Sequence, residues 1–166
     1  MNSAKPIALL LIYLLFLITL VPANNNTADD RIYKQAQELL AVMTLDEKVS
    51  LLSGRGSYDT QDIKRLNLPS LQLWDGPNGV RSNNNEPATA FPVGICMGST
   101  WNPELIEKLG IALGKECRAF GVEVLLGPTM NIIRTPLNGR NFETFSEDPF
   151  INGVIGAAYV KGLQSE

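Results

Sequence analysis

The amino-acid sequence predicts an α/β fold in which repeated strand–helix units build a parallel sheet. Two short apolar runs have the character of strands, each is followed by a polar segment, and each polar segment leads into an amphipathic helix. Strands and helices that alternate in this order form parallel sheets, because each helix carries the chain back to where the previous strand began. The 45% content of apolar residues supports a packed core rather than a disordered chain.

Two helices are predicted ahead of the first strand. Apolar side chains at helical spacing predict one over residues 30–43 and place its buried face. They are Ile32, Ala36, Leu39, Leu40 and Met43. A capping box formed by Thr44 and Glu47 then begins a shorter helix, which is predicted to end near Leu52.

The first strand is predicted over residues 71–74, and a polar loop follows it directly. Asp75-Gly76-Pro77 cannot continue a central strand, so Asp75 is expected at the carboxyl end of this one. Residues 90–95 predict a further strand, which is short and irregular.

The second strand–helix unit has clearer boundaries. Asn102 as cap, Pro103 at the first position and an acidic residue after it predict a helix that ends at Gly121. Its expected buried face consists of Ile106, Leu109, Leu113, Cys117 and Phe120. A buried strand is predicted over 122–126, and a last helix, capped by Asp148, over 149–164. The core side of the last helix is expected to consist of Ile151, Val154, Ile155, Ala158 and Leu163.

Two polar segments, 75–81 and 138–149, follow predicted strands and share one composition. The first combines one carboxylate, an arginine and tight-turn residues, and the second combines three carboxylates, an arginine, turn residues and two aromatic residues. Carboxylates and arginines bond sugar hydroxyls in fixed directions, while an aromatic face covers the apolar side of a sugar ring. Solvated loops with surface ion pairs are the alternative interpretation. The common placement at the carboxyl edge of a parallel sheet favours a binding site.

Composition excludes several classes of function. The chain contains no histidine, which removes Ser-His and Cys-His nucleophile systems and the usual zinc ligand sets. A net charge of −3 without a basic block argues against nucleic acid and anionic membranes as partners. No metal or organic cofactor signature is present, so none is expected. Cys96 and Cys117 are expected as two buried thiols, with a disulfide as the alternative.

The amino-terminal segment resembles an export signal. Lys5 precedes an uncharged apolar run over 7–21, which is shorter than the ~20 residues of a membrane span. The run ends at Val21-Pro22-Ala23, a site that suits signal peptidase. A cleaved signal peptide over 1–23 is predicted, with an uncleaved anchor as the alternative, and the location is secreted, extracellular or periplasmic. In a eukaryote, Asn25 would then be a possible N-glycosylation acceptor.

Six short motifs stand in a recognisable order. They are Met43-Thr44-Leu45-Asp46-Glu47-Lys48-Val49, Asp75-Gly76-Pro77-Asn78-Gly79-Val80-Arg81, Ala90-Phe91-Pro92, Gly98-Ser99-Thr100-Trp101, Leu126-Gly127-Pro128 and the stretch from Gly139 to Pro149. In this order and spacing the chain resembles the N-terminal part of a glycoside hydrolase family 3 enzyme, of the β-glucosidase branch. The resemblance covers residues 43–166, which are predicted to be a partial barrel domain, and a tether and helix over 24–42 connect it to the predicted signal peptide.

The resemblance implies a (β/α)8 TIM-like barrel, of which this chain holds an incomplete N-terminal part. It implies retaining hydrolysis of terminal non-reducing β-D-glucosyl residues, with a β-glucoside or oligosaccharide as substrate and no cofactor. Asp75 and Arg140 match family positions that bind hydroxyls of the sugar. Arg81 and Glu143 match positions that would shape and orient the same site. The sequence does not indicate an oligomeric state.

The family's nucleophilic aspartate and its acid/base glutamate belong to segments that do not occur in this sequence. No catalytic residue is therefore assigned, and the 166-residue chain alone is expected to be an inactive fragment of the parent hydrolase. A retaining pair needs carboxyls about 5–5.5 Å apart, and Asp75 with Glu143 is the pair the residues alone would nominate. The resemblance places both in binding roles instead. A β-xylosidase and a non-catalytic carbohydrate-binding fragment remain the alternative functions.

Overall fold

The structure is a computed structural model, and it describes residues 27–56, 58–81 and 86–166. The predicted signal peptide over 1–23 and the predicted acceptor Asn25 lie outside these residues. The chain divides into two units, residues 1–44 and residues 45–166.

The described part of the first unit is one helix, α1 (Thr27–Val42), where a helix was expected. Its predicted buried face is wrong at Ile32 and Leu40, which are 58% and 44% exposed, and right at Met43, which is buried. Helical spacing determines which side chains share a face, but it does not determine whether another element covers that face.

The second unit carries the alternation of strands and helices that the sequence predicts. Its elements are α2 (Leu45–Leu51), a 3-10 helix (Lys64–Leu66), β1 (Leu73–Asp75), α3 (Gly94–Gly98), α4 (Pro103–Phe120), β2 (Val124–Leu126), a 3-10 helix (Asn141–Glu143) and α5 (Pro149–Leu163). Within the described residues no helix combines the length and apolar character needed to cross a bilayer.

Strands β1 and β2 pair in parallel, as predicted. Leu73 lies opposite Val124 and Asp75 lies opposite Leu126, so the carboxyl ends of the two strands coincide. The prediction that the second strand is buried is wrong, because Val124 and Leu126 are 38% and 42% exposed. Among the described residues β2 has β1 as its one strand partner, so one edge of β2 is uncovered.

The irregular strand predicted over 90–95 does not form, and α3 begins at Gly94 instead. Gly94 and Gly98 lie four residues apart on one face of α3, and this face presses against the backbone that carries the second polar segment. A Cβ atom at Gly94 would collide with the carbonyl oxygen of Glu143, and one at Gly98 with that of Phe145. This contact joins residues almost fifty positions apart, and a local pattern does not reveal it.

Both long helices have the caps that the sequence predicts. The Asn102 side chain accepts a hydrogen bond from the Leu105 N–H at 3.0 Å, and Asp148 accepts one from the Phe150 N–H at 2.7 Å. Gly121 ends α4 with φ of +69°, a left-handed conformation that favours glycine.

Helices α4 and α5 pack against each other and enclose the core with the two strands. The buried apolar residues that form one cluster are Trp74, Val80, Met97, Ile106, Leu113, Cys117, Phe145, Ile155, Ala158 and Tyr159. The prediction that Val154 belongs to the core is wrong, because this residue is 38% exposed. Tyr159, which was not among the predicted core residues, is fully buried. Both cysteines are free thiols. The prediction that both are buried is right for Cys117 and wrong for Cys96, which is exposed.

Glycine at 162 makes the close approach of α4 and α5 possible. A Cβ atom there would collide with the Glu107 carbonyl oxygen and lie 3.0 Å from the Ile111 nitrogen. Gly162→Ala is therefore expected to destabilise the fold by about 1–3 kcal/mol, the usual cost of overpacking. Thermal unfolding of the variant measures this as a lower Tm.

Gly153 is the matched control, because it lies on the same helix, is exposed, and has open space where a Cβ would sit. Gly153→Ala is expected to stabilise α5 by about 0.5–1 kcal/mol through the lower backbone entropy of alanine in the unfolded chain. Equal Tm shifts in the two variants would contradict the packing argument.

Candidate active site

The first polar loop begins at Asp75, the last residue of β1, and turns back on itself by Arg81. The Arg81 N–H donates to the Asp75 carbonyl oxygen at 2.9 Å. This turn places Arg81 Nη1 3.5 Å from Asp75 Oδ2. Both side chains remain open to solvent, so the ion pair contributes little to stability and leaves both groups free to bind a ligand.

The second polar segment presents Arg140 and Glu143 from a single 3-10 turn. Arg140 donates from Nε to Glu143 Oε1 at 2.8 Å and from Nη2 to Oε2 at 2.7 Å. Two parallel bonds of this kind fix the guanidinium plane as well as its position. Thr129, just beyond the end of β2, donates its hydroxyl to Glu143 Oε2 at 3.3 Å. The Glu143 side chain is 12% exposed and that of Arg140 is 72% exposed, so the carboxylate supports the arginine from beneath.

All four residues predicted to bind substrate line one open cavity of about 290 Å³. The cavity lies at the carboxyl end of β1, and its lining is Asp75, Gly76, Pro77, Asn78, Gly79, Arg81, Arg140, Phe142 and Glu143. Its volume is close to the lower end of small-molecule sites, about 300–1,000 Å³. Phe142 adds a half-exposed aromatic ring beside the charged groups. The structure therefore brings together every substrate-binding residue that the sequence nominates.

The charged groups of the cavity influence each other. Hydrogen bonding to Arg140 lowers the pKa of Glu143, and the hydroxyl of Thr129 acts in the same direction. The bond to Glu143 in turn raises the pKa of Arg140, with a smaller contribution from Asp75. Glu143 is thus held as a carboxylate with both oxygens engaged, which suits an orienting group and does not suit a proton donor.

The sequence did not nominate Phe142 or Asn78, which line the cavity, or Tyr159, which lies behind the first loop. The Tyr159 hydroxyl, from α5, donates to the Pro77 carbonyl oxygen at 3.1 Å and so holds the first loop from below. Burial raises the pKa of this hydroxyl. Asn78 lines the cavity, and its buried Oδ1 has no hydrogen-bond partner among the described residues. Tyr159 lies four residues after Ile155, and this helical spacing could have predicted from the sequence that Tyr159 is on the core face of its helix.

A larger cavity, of about 820 Å³, lies along the uncovered edge of β2 beside the ends of α4 and α5. It contains none of the residues at the carboxyl end of β1, and its size follows from the sheet edge that remains open. The chemistry therefore identifies the smaller cavity as the site. The described part of the chain holds no group of three or more His, Cys, Asp or Glu side chains placed to bind a metal ion.

The Arg140–Glu143 pair makes a prediction about pH. Because the folded-state pKa of Glu143 lies below its ordinary value of 4.5, the pair stabilises the fold in full above that value. The stabilisation is lost as the pH falls through the lowered folded-state pKa. A ¹³C NMR titration of the Glu143 carboxyl measures the midpoint, which is expected below 4.5.

Arg140→Ala is expected to move this midpoint upward, because the guanidinium is the largest cause of the lowered pKa. Arg134→Ala, which removes another exposed arginine just before this segment, is the control and should leave the midpoint in place. A midpoint that does not respond to Arg140→Ala would show that the pair does not persist in solution.

Comparison with known proteins identifies the family to which this geometry belongs. Residues 25–166 match the sequence profile described as the glycosyl hydrolase family 3 N terminal domain. A beta-glucosidase of Rhizobium radiobacter is 47% identical over 133 residues, which cover 78% of this chain and 16% of the relative. Thermostable beta-glucosidase B of Acetivibrio thermocellus is 44% identical over 140 residues, which cover 78% of this chain and 18% of the relative.

Solved structures agree with the sequence relatives. Beta-glucosidase 3B from Thermotoga neapolitana in complex with alpha-D-glucose superposes with a TM-score of 0.72 at 43% identity, over 79% of this chain and 21% of the other. Beta-glucosidase from Kluyveromyces marxianus in complex with glucose superposes with a TM-score of 0.75 at 42% identity, over 78% of this chain and 16% of the other. The chain spans less than a fifth of the length of the two curated relatives. It belongs to glycosyl hydrolase family 3 and corresponds to part of the N-terminal domain of that family.

Proposed function

We propose that this chain forms the sugar-binding part of the active site of a retaining β-glucosidase, which hydrolyses terminal non-reducing β-D-glucosyl residues from β-glucosides and oligosaccharides. The observation that carries the proposal is the convergence of Asp75, Arg81, Arg140 and Glu143 on one cavity at the carboxyl end of β1. The names of the relatives, and the glucose present in two of the solved structures, support it. The two parallel strands and their helices are proposed to belong to a (β/α)8 barrel.

The chemistry of the cavity suits a glucose ring. Asp75 offers only hydrogen-bond acceptors and Arg140 offers only donors, whereas each sugar hydroxyl is both a donor and an acceptor. The two residues therefore bind hydroxyls in opposite senses and define how the ring is turned. Phe142 supplies an apolar surface for the C–H face of the ring. Glu143 orients Arg140, and Arg81 orients Asp75.

The residues that carry out bond cleavage are proposed to lie outside positions 1–166. Retaining hydrolysis needs one carboxyl as nucleophile and another as acid/base. Glu143 has both oxygens bonded by Arg140 and Thr129, and Asp75 faces Arg81. With both oxygens engaged, Glu143 is suited to orienting Arg140 and poorly suited to attack or to proton donation, and Asp75 is assigned to binding by the match to the family position. No cofactor is required by this chemistry.

Export of the protein is part of the proposal. It rests on the uncharged apolar run over 7–21 and on the small-residue site that ends at Ala23. A secreted or periplasmic location agrees with hydrolysis of glucosides supplied from outside the cell.

The protein expressed from the complete gene is expected to hydrolyse an aryl β-D-glucoside, and Asp75→Asn should lower its kcat/KM by about 10- to 100-fold. That range is the loss of one hydrogen bond to a charged group, about 1.5–3 kcal/mol. Asp62→Asn is the matched control, because Asp62 pairs with Arg55 at 3.0 Å and does not line the cavity. Faster hydrolysis of the corresponding aryl β-D-xyloside than of the glucoside would identify a β-xylosidase. Glucose binding without hydrolysis would identify a carbohydrate-binding protein.

A mechanism-based fluoroglucoside that traps the covalent intermediate tests the separation of binding from bond cleavage. Peptide mapping of the labelled protein is expected to locate the sugar on a carboxylate outside residues 1–166. A label on Asp75 or Glu143 would mean that the nucleophile lies in this chain and that the binding assignment is wrong.

A further inference from the structure

The loop that joins Asp75 to Arg81 has few backbone hydrogen bonds within itself. Within the described residues its internal backbone bonds are the 2.9 Å bond from the Arg81 N–H to Asp75 and a long bond of 3.4 Å from the Gly79 N–H to Gly76. A loop with so little internal bonding depends on its surroundings to keep one conformation. The positions of the groups that bind the sugar therefore depend on what holds this loop.

One support comes from the segment just before α3. The Phe91 N–H donates to the Asn78 carbonyl oxygen at 2.9 Å, so the segment lies alongside the loop. Thr89, two residues earlier, presses its carbonyl oxygen against Gly79, where a Cβ atom would collide with it. Gly79 has φ of +131°, a conformation that other residues rarely adopt. The loop and this segment are therefore fitted closely together.

The supporting segment has no helix or strand of its own over residues 86–93, and a side chain of α4 secures it. The Glu116 carboxylate accepts hydrogen bonds from the Thr89 N–H at 3.2 and 3.3 Å and a further one from the Thr89 hydroxyl. Bonds to an ionised acceptor are about twice as strong as neutral ones. Among the described residues the hydrogen-bond partner of the Glu116 carboxylate is Thr89.

We infer that Glu116 is a positioning residue for the sugar-binding loop 75–81 and acts through Thr89. The connection runs from α4 to Thr89, from Thr89 and Phe91 to Gly79 and Asn78, and so to the loop that carries Arg81. Tyr159 of α5 holds Pro77 by a separate hydrogen bond, so side chains of both long helices contribute to holding the loop. Glu116 does not line the cavity and acts on the sugar only through the loop. The inference rests on the proposed function for its kinetic effect, but not for its effect on the loop.

The test compares Glu116→Ala with Glu116→Gln in the protein expressed from the complete gene. Glu116→Ala is expected to raise KM for an aryl β-D-glucoside about tenfold with a smaller change in kcat, because uniform binding is what a displaced loop loses. Hydrogen exchange of the Phe91 and Arg81 amides should become about tenfold faster, since both bonds belong to the supported loop. Glu116→Gln keeps an acceptor for Thr89 and should recover part of both effects.

Glu107→Ala is the matched control, because Glu107 lies on the same helix and bonds Lys161 at 2.9 Å without touching the loop. Glu107→Ala should change neither KM nor the hydrogen-exchange rates of the Phe91 and Arg81 amides. If Glu116→Ala folds poorly, Thr89→Val provides a second test. It removes the hydrogen bond from the Thr89 hydroxyl to Glu116 and should produce the same changes in KM and amide exchange at a smaller size.

The two proposals fail in different ways. A wild-type protein that hydrolyses no glycoside would refute the β-glucosidase proposal, while the exchange rates of Phe91 and Arg81 would still decide the role of Glu116. Unchanged exchange in Glu116→Ala, or the same change in Glu107→Ala, would overturn the positioning role. Faster exchange with an unchanged KM would also overturn it, because Glu116 would then order the loop without positioning the groups that bind the sugar.

Discussion

The parallel register of β1 and β2 is the constraint on which the rest of the site depends. Asp75 lies opposite Leu126, so both strands end at one edge and the polar segments that follow them emerge side by side. A shift of one residue would turn Trp74 out of the core and Asp75 away from the cavity, because successive side chains of a strand face opposite sides. The buried indole of Trp74 therefore helps to keep the carboxylate in place.

Close backbone contacts carry this placement from the strands to the functional groups. Gly94 and Gly98 bring α3 against the backbone of Glu143 and Phe145, and Gly162 brings α5 against α4. A Cβ atom at any of these glycines would collide with a backbone carbonyl oxygen, so the neighbouring backbone would have to shift. The site is thus held largely by the approach of main chain to main chain, and the arginines that face the cavity remain exposed to solvent.

The two interpretations of the polar segments turn out to be compatible. Arg81 and Arg140 do form exposed ion pairs, with Asp75 and Glu143, as a solvated loop would. The same pairs converge on one cavity, where they hold charged groups in set orientations before a ligand arrives. Such preorganisation lowers the ordering cost of binding, so weak surface pairs become useful as parts of a site even though they add little to stability.

The sequence by itself determined the α/β class, the capped ends of α4 and α5, and the four charged residues of the cavity, because caps, breakers and motifs are local signals. The tertiary structure alone decided which faces are covered and which elements touch. It replaced the strand expected over 90–95 by a helix, left Val154 exposed, and buried Tyr159 under Pro77. These outcomes depend on contacts between residues far apart in the chain, and periodicity carries no information about the partner that a face will meet.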